Sequence, residues 1–211
     1  MNKLLLFAVT VFCLSGCVDM SADIAVQPDG SGVLTLEYRV LKSLYELGEL
    51  DGNSARPIVP VGKADFERSV KRIDGLRLVS FSVKPEKGGA PQDKDDIVVM
   101  AKLGFSNLDA LVRFLDGAGQ RAVYSQENGN NKLSLVLWEE WEGIDADLSD
   151  LAIAVLEGYR FSLRFSAPKG SAQIRCFTTD GRILNASAER VSISTSALIA
   201  EKNGVQMEIL W

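Results

Sequence analysis

The sequence predicts an α+β fold: an antiparallel sheet built from hairpins, with about three amphipathic helices packed on one face. Three observations predict it. Asp29-Gly30, Asn128-Gly129, Asp180-Gly181 and Asn203-Gly204 sit between runs rich in β-branched and aromatic residues. Such steps supply the positive φ that tight hairpins need. Along those runs apolar and polar residues alternate, the pattern of a strand with one buried face. Between them, apolar residues recur at helical spacing in stretches that glycine terminates.

The first hairpin joins Ala22–Gln27 to Val33–Leu41, where Val33, Thr35, Glu37 and Arg39 alternate with Leu34, Leu36, Tyr38 and Val40. Leu44, Glu46 and Leu47 give a weak helical pattern after it. Phe66, Val70 and Ile73 make a short helix stopped by Gly75, and strands follow at Leu76–Val83 and Ile97–Phe105. Leu108, Leu111, Val112 and Leu115 hold the i, i+3, i+4, i+7 spacing after a Ser106 or Asn107 cap, with Gly117 as the stop. Strands at Arg121–Ser125 and Leu133–Trp138 come next. Leu148, Leu151, Ala152, Val155 and Leu156 repeat the helical spacing between Asp147 and Gly158. Tyr159–Ser166 reads as a strand. The last strand places Val205, Met207, Ile209 and Trp211 on one face. Two polar stretches, 51–62 with Pro57 and Pro60 and the charged, glycine-rich 85–96, read as mobile loops or boundaries. No internal repeat is present.

The amino terminus has its own logic. Met1 to Lys3 is a small cationic start, and Leu4 to Leu14 is an apolar run broken only by Thr10. Small residues and a cysteine follow, the layout of a secretory signal peptide; the run is too short for a stable membrane-spanning helix. Leu14-Ser15-Gly16-Cys17 resembles the lipobox of bacterial lipoproteins. That resemblance implies a signal peptide over 1–16, a diacylglycerol anchor on the Cys17 sulfur, and a fatty acyl chain such as palmitate on the new amino terminus. Residues 17–211 then form a single envelope domain, held to the membrane by the lipid on Cys17. Val18 follows the cysteine, and under the sorting rule of enteric bacteria this implies the outer membrane where the host has two.

Charge and cysteine usage narrow the partners. Loss of 1–16 removes only Lys3 among the charges, leaving 22 basic against 28 acidic residues, a net of −6 with both signs interspersed. Nucleic acid wants a basic stripe, and none is visible. The same count argues against a polybasic headgroup-binding patch. With Cys13 in the signal and Cys17 lipidated, Cys176 is the remaining thiol; between Ile174 and Phe177 it reads as a small buried strand residue.

Catalytic machinery is hard to assemble from this composition. There is no histidine, which removes the commonest general base and metal ligand. Trp138-Glu139-Glu140-Trp141-Glu142 is the best carboxylate cluster, and acids beside aromatic rings suit glycoside chemistry. A strand end with one core tryptophan and solvated glutamates accounts for it more simply. Asp145, Asp147 and Asp150 lack the glycine and distal glutamate of a calcium loop and suit helix capping better. Gly30-Ser31-Gly32 precedes a strand, not a helix, so it reads as a turn and not as a phosphate cradle. No cofactor or metal is expected.

Several segments resemble one family. Cys17 followed by Asp23-Ile24-Ala25-Val26-Gln27-Pro28-Asp29-Gly30-Ser31-Gly32 is similar to the opening of the LppM-like lipoprotein domain. Gly104-Phe105-Ser106-Asn107-Leu108-Asp109-Ala110-Leu111 resembles its strand-to-helix junction, and Asn203-Gly204-Val205-Gln206-Met207-Glu208-Ile209-Leu210-Trp211 its closing strand. Ala167-Pro168-Lys169-Gly170 departs from the family's proline-glycine step. The resemblance implies an envelope domain with lipid or amphiphile binding and no catalytic residues.

The expectation is therefore a lipid-anchored, non-enzymatic domain that binds a lipid or amphiphile, with Trp138 and Trp141 as candidate ligand-contact residues. The alternatives are a protein-interaction or envelope-assembly lipoprotein without a small ligand and, further off, a carboxylate-based glycoside-acting protein.

Overall fold

The computed structural model describes residues 17–41, 62–85, 96–116, 121–127, 129–139 and 159–211. The weak helix at Leu44–Leu47, the helix at Leu148–Leu156, nearly all of the loops 51–62 and 85–96, and the signal segment lie outside them.

Eleven described strands and three helices follow one another as β1 (Cys17–Val26), β2 (Gly32–Leu41), α1 (Lys63–Arg72), β3 (Leu76–Pro85), β4 (Asp96–Phe105), α2 (Leu108–Leu115), β5 (Ala122–Glu127), β6 (Asn130–Trp138), β7 (Arg160–Ser166), β8 (Gln173–Thr178), β9 (Ile183–Ser187), β10 (Arg190–Ser194), α3 (Thr195–Ile199) and β11 (Val205–Leu210). They build two sheets. The first has six strands in the order β10-β7-β1-β2-β4-β3, the second five in the order β5-β6-β11-β8-β9.

This architecture corrects the expected α+β fold of one antiparallel sheet with about three amphipathic helices on one face. The described chain is mostly β-sheet, in two sheets with few short helices. Alternation specifies which side chains turn inward but not what covers them. Here the inward residues of both sheets, among them Ile24, Leu34, Leu36, Leu103 and Phe165 of the first and Leu133, Ile174, Met207 and Ile209 of the second, join one buried cluster. A second correction concerns strand direction. β1 lies beside β7 in parallel, from Met20 opposite Phe161 to Ala25 opposite Ser166, while the other pairings are antiparallel.

The helices fill a corner of the core. Phe66 of α1 is fully buried, with its ring 5.7 Å from that of Phe81 on β3 and 6.5 Å from that of Phe114 on α2. α2 spans the expected residues, and its cap is Asn107, whose Oδ1 accepts from the Ala110 amide at 2.9 Å. α3 has a single turn and buries Leu198.

Three of the four predicted Asx-Gly steps stand between paired strands. Asp29-Gly30 turns β1 into β2 and Asp180-Gly181 turns β8 into β9, while Gly129 turns β5 into β6, with Asn128 outside the described residues. Asn203-Gly204 differs: it lies in a separate turn between α3 and β11, where the Gly204 amide donates to the Glu201 carbonyl at 3.4 Å, and it closes no hairpin. At all four steps the glycine has positive φ, which is what the local sequence required.

Candidate functional sites

The first candidate is Cys17. Its backbone lies in β1 and pairs with Val40 of β2, so the residue that would carry a lipid is itself part of the sheet. Around this end the register lines up one row across the whole first sheet. Lys84 faces Val98, Val98 faces Arg39, and Arg39 reaches Asp19 with Nη1 3.6 Å from Oδ2. Asp19 also accepts from the backbone amide of Arg160 at 2.9 Å, and Arg160 faces Ser194 on β10. Three cationic side chains thus share this row with one described carboxylate.

The opposite end of the same sheet holds a groove of about 550 Å³. Its last rungs pair Val26 with Gly32, Gly32 with Phe105, and Phe105 with Leu76. Gly32 is needed there: a Cβ would lie 2.1 Å from the Ala25 carbonyl oxygen and 2.4 Å from Cζ of Phe105, so the phenyl ring occupies the space a side chain would take. Ser106 donates its amide to the Gly75 carbonyl at 2.8 Å, tying the start of β3 to the end of β4. Val33 and the edges of the buried Leu76 and Phe105, 7% and 3% exposed, give the groove its apolar lining, while Gln27, Ser31, Arg77 and Ser106 give it polar groups. Beside it, the Ser31 hydroxyl and amide both donate to Asp29, at 2.7 and 3.0 Å, and hold the Asp29 carboxyl below the usual carboxylate range.

Trp138, a predicted ligand-contact residue, is half-buried and packs against the core. The register explains how. Val205 pairs with Trp138 but Gln206 pairs with Val136, which leaves Leu137 as an extra residue in β6. Such a bulge re-aims the next side chain, and it places Trp138 on the side that buries Val205. Glu139, next in the chain, is exposed, with Oε2 3.3 Å from Nη2 of Arg121. Trp141, Glu140, Glu142 and the aspartates 145, 147 and 150 lie outside the described residues. Cys176 sits in β8 and is fully buried; burial pushes its thiol up to about 12. It is a core residue, as expected from its neighbours.

Among the described residues no three metal-ligating side chains converge, and no helix is long and apolar enough to cross a membrane. The groove brings together a guanidinium, hydroxyls and an amide beside an apolar lining. Sequence patterning missed this groove because Ser31, Arg77 and Ser106 come from three segments far apart in the chain, the β1–β2 turn, the start of β3 and the end of β4. The glycines at 30, 32 and 75 were the visible signal, and they read only as turn punctuation.

No protein-family model matches the chain, and no curated protein matches it. Among solved structures it is similar to the folded domain of the Mycobacterium tuberculosis LppM protein, determined by NMR, at 12% identity. The likeness covers 92% of this chain and 90% of that one, with a TM-score of 0.36. At that score it is a loose likeness that assigns neither fold nor function.

Proposed function

We propose that this chain is a lipid-anchored, non-enzymatic domain of a bacterial cell envelope that binds a lipid or other amphiphile. The observation that carries the anchor is the lipobox-like Leu14-Ser15-Gly16-Cys17 at the end of a short apolar run that follows a cationic start. A diacylglycerol anchor plus an amino-terminal acyl chain passes the two-signal threshold for stable attachment. Val18 directs the protein to the outer membrane of a two-membrane host.

The amphiphile is supported by the groove. Its volume lies in the range of small-molecule sites, roughly 300–1,000 Å³, and its lining joins Phe105 and Leu76 to Arg77 and Ser106. A molecule with one apolar and one polar portion matches that lining. A protein partner is the second reading, favoured by Val136, Phe177 and the 63% exposed Ile183, which the register sets in one row on the outer face of the second sheet.

Two measurements test the proposal on the full-length chain expressed in a bacterial host. Mass spectrometry of the amino-terminal peptide should find Cys17 acylated and the chain lost from membranes on Cys17→Ser. Native mass spectrometry from detergent should find a lipid-sized adduct that solvent extraction removes. An unmodified Cys17 sinks the anchor; a clean mass in several hosts sinks the amphiphile and turns the search to protein partners by cross-linking.

A further inference from the structure

We infer that the first sheet stands upright on the membrane, with the Lys84–Arg39–Asp19–Arg160 end turned toward the bilayer and the groove turned away from it. The inference rests on the anchor reading of Cys17 and adds the orientation that this reading alone does not contain. It follows from three features of the fold. β1 includes the anchored residue itself, so no spacer separates the lipid from the sheet. β1 is also interior, flanked by β7 and β2, so a tether at its start pulls on the middle of the sheet and not on a swinging edge. The row level with Asp19 crosses all six strands, from Lys84 on β3 to Ser194 on β10, so one row of the sheet runs level with the anchored end of β1.

Charge supports the same orientation. Arg39, Lys84 and Arg160 share that row with Asp19 as its one described carboxylate, and bilayers with anionic headgroups attract such a row. At a rise of about 3.3 Å per residue, the nine steps from Cys17 to Val26 carry the groove about 30 Å from the anchor, comparable to the thickness of a hydrocarbon core. The groove is then out of reach of acyl chains in the membrane that holds the protein. Its ligand arrives from the aqueous compartment, free, carried, or displayed by an opposing surface.

The test uses the full-length, acylated protein in vesicles of phosphatidylcholine and phosphatidylglycerol that contain a headgroup nitroxide lipid. Lys84→Cys and Lys169→Cys, both exposed in the parent, each receive a thiol-reactive fluorophore; Cys17 is blocked by lipid and Cys176 is buried. Lys84 is level with Asp19, whereas Lys169 follows Ser166, the β7 residue level with Ala25 at the far end. Flotation is read first. Protein that floats and loses most of its fluorescence at position 84, but none at 169, supports the orientation. Protein that floats with equal quenching at both positions, or with quenching at 169 alone, overturns it while leaving the anchor intact. Protein that fails to float overturns the anchor and the orientation with it.

Discussion

The rings of Phe165 and Trp211 lie 4.7 Å apart, tilted by 46°, and they come from different sheets. Phe165 belongs to β7 of the first sheet, while Trp211 continues β11 of the second, where its amide and carbonyl both bond to Asn131 at 3.0 and 2.9 Å. Trp211 also sits 6.1 Å from the Tyr124 ring. The terminal residue is therefore a bolt between sheets. Truncating large aromatics in cores costs about 3–5 kcal/mol, and half-burial places Trp211 at the low end. Trp211→Ala should lower stability by about 3 kcal/mol, with Trp211→Phe losing less. Urea unfolding followed by far-ultraviolet circular dichroism measures both.

Two glycines of one hairpin should respond differently to alanine. Gly30 has φ of +80° and open space where a Cβ would go, so Gly30→Ala meets only backbone strain, about 1–2 kcal/mol. Gly32 has no such strain but would drive its Cβ into the Ala25 carbonyl and the Phe105 ring. Forcing atoms into packed space typically costs about 1–3 kcal/mol and shifts backbone. Gly32→Ala should therefore disturb the Phe105 ring and the groove beside it, whereas Gly30→Ala leaves them in place. Chemical shifts of the Phe105 ring protons discriminate the two, and equal perturbation would refute the packing argument.

Cys176 makes a pH prediction. Its thiol titrates at about 12 in the folded protein against an ordinary 9.0, because burial disfavours the thiolate. Between those values the unfolded chain releases a proton that the folded chain keeps. Stability from this group is complete below pH 9 and declines as pH rises toward 12. Cys176→Ala should flatten that alkaline decline at the expense of a small cavity. At pH 8 the native thiol should resist Ellman's reagent and become reactive on unfolding in urea; rapid native reaction would mean that β8 opens.

The local elements were legible in the sequence because local physics decides them. The asparagine cap of α2, the Asp29-Gly30 and Asp180-Gly181 hairpins, and the inward series Val205, Met207, Ile209 need only near neighbours. The layering was not legible. Leu133 and Met207 alternate as Leu34 and Leu103 do, and nothing in either pattern says that the first pair belongs to a separate sheet. The parallel pairing of β1 with β7 joins residues about 140 positions apart, beyond any local signal. The placing of Trp138 is set by a bulge at Leu137, which shifts the phase of the strand and sets the indole level with Val205.

Asp180 should govern part of the acid response. It accepts from the Thr178 hydroxyl, the Arg182 amide and, at 3.1 Å, Nδ2 of Asn203, tying the β8–β9 turn to the approach to β11. The Thr178 hydroxyl contributes most to holding its carboxyl below the ordinary 3.8. A depressed folded value means a contribution that is present above pH 3.8 and lost as pH falls through the lower folded value. Asp180→Asn should remove that part of the acid decline while leaving the alkaline side unchanged. Urea midpoints between pH 2.5 and 6 supply the comparison, and parallel curves for variant and parent would refute the role.

On the proposed amphiphile reading, Arg77 is the residue on which binding most depends. It faces Gly104 across the β3–β4 pair, and a Cβ at 104 would lie 2.7 Å from its Nε, so the side chain lies close over the glycine backbone beside the groove. A guanidinium held there can meet an anionic or hydroxylated head at the groove. Hydrogen bonds to charged groups contribute about 1.5–3 kcal/mol, which is roughly tenfold or more in affinity. Arg77→Ala should therefore weaken binding of dansyl-undecanoic acid about tenfold or more. The side chain is exposed, so stability should change by no more than about 0.5 kcal/mol. Arg113→Ala removes an equally exposed arginine, paired with Asp109 on α2 at 3.0 Å and absent from the groove lining, and should leave the affinity unchanged. If both variants lose affinity alike, overall charge drives binding and the groove is not the site. If neither does, the probe binds elsewhere.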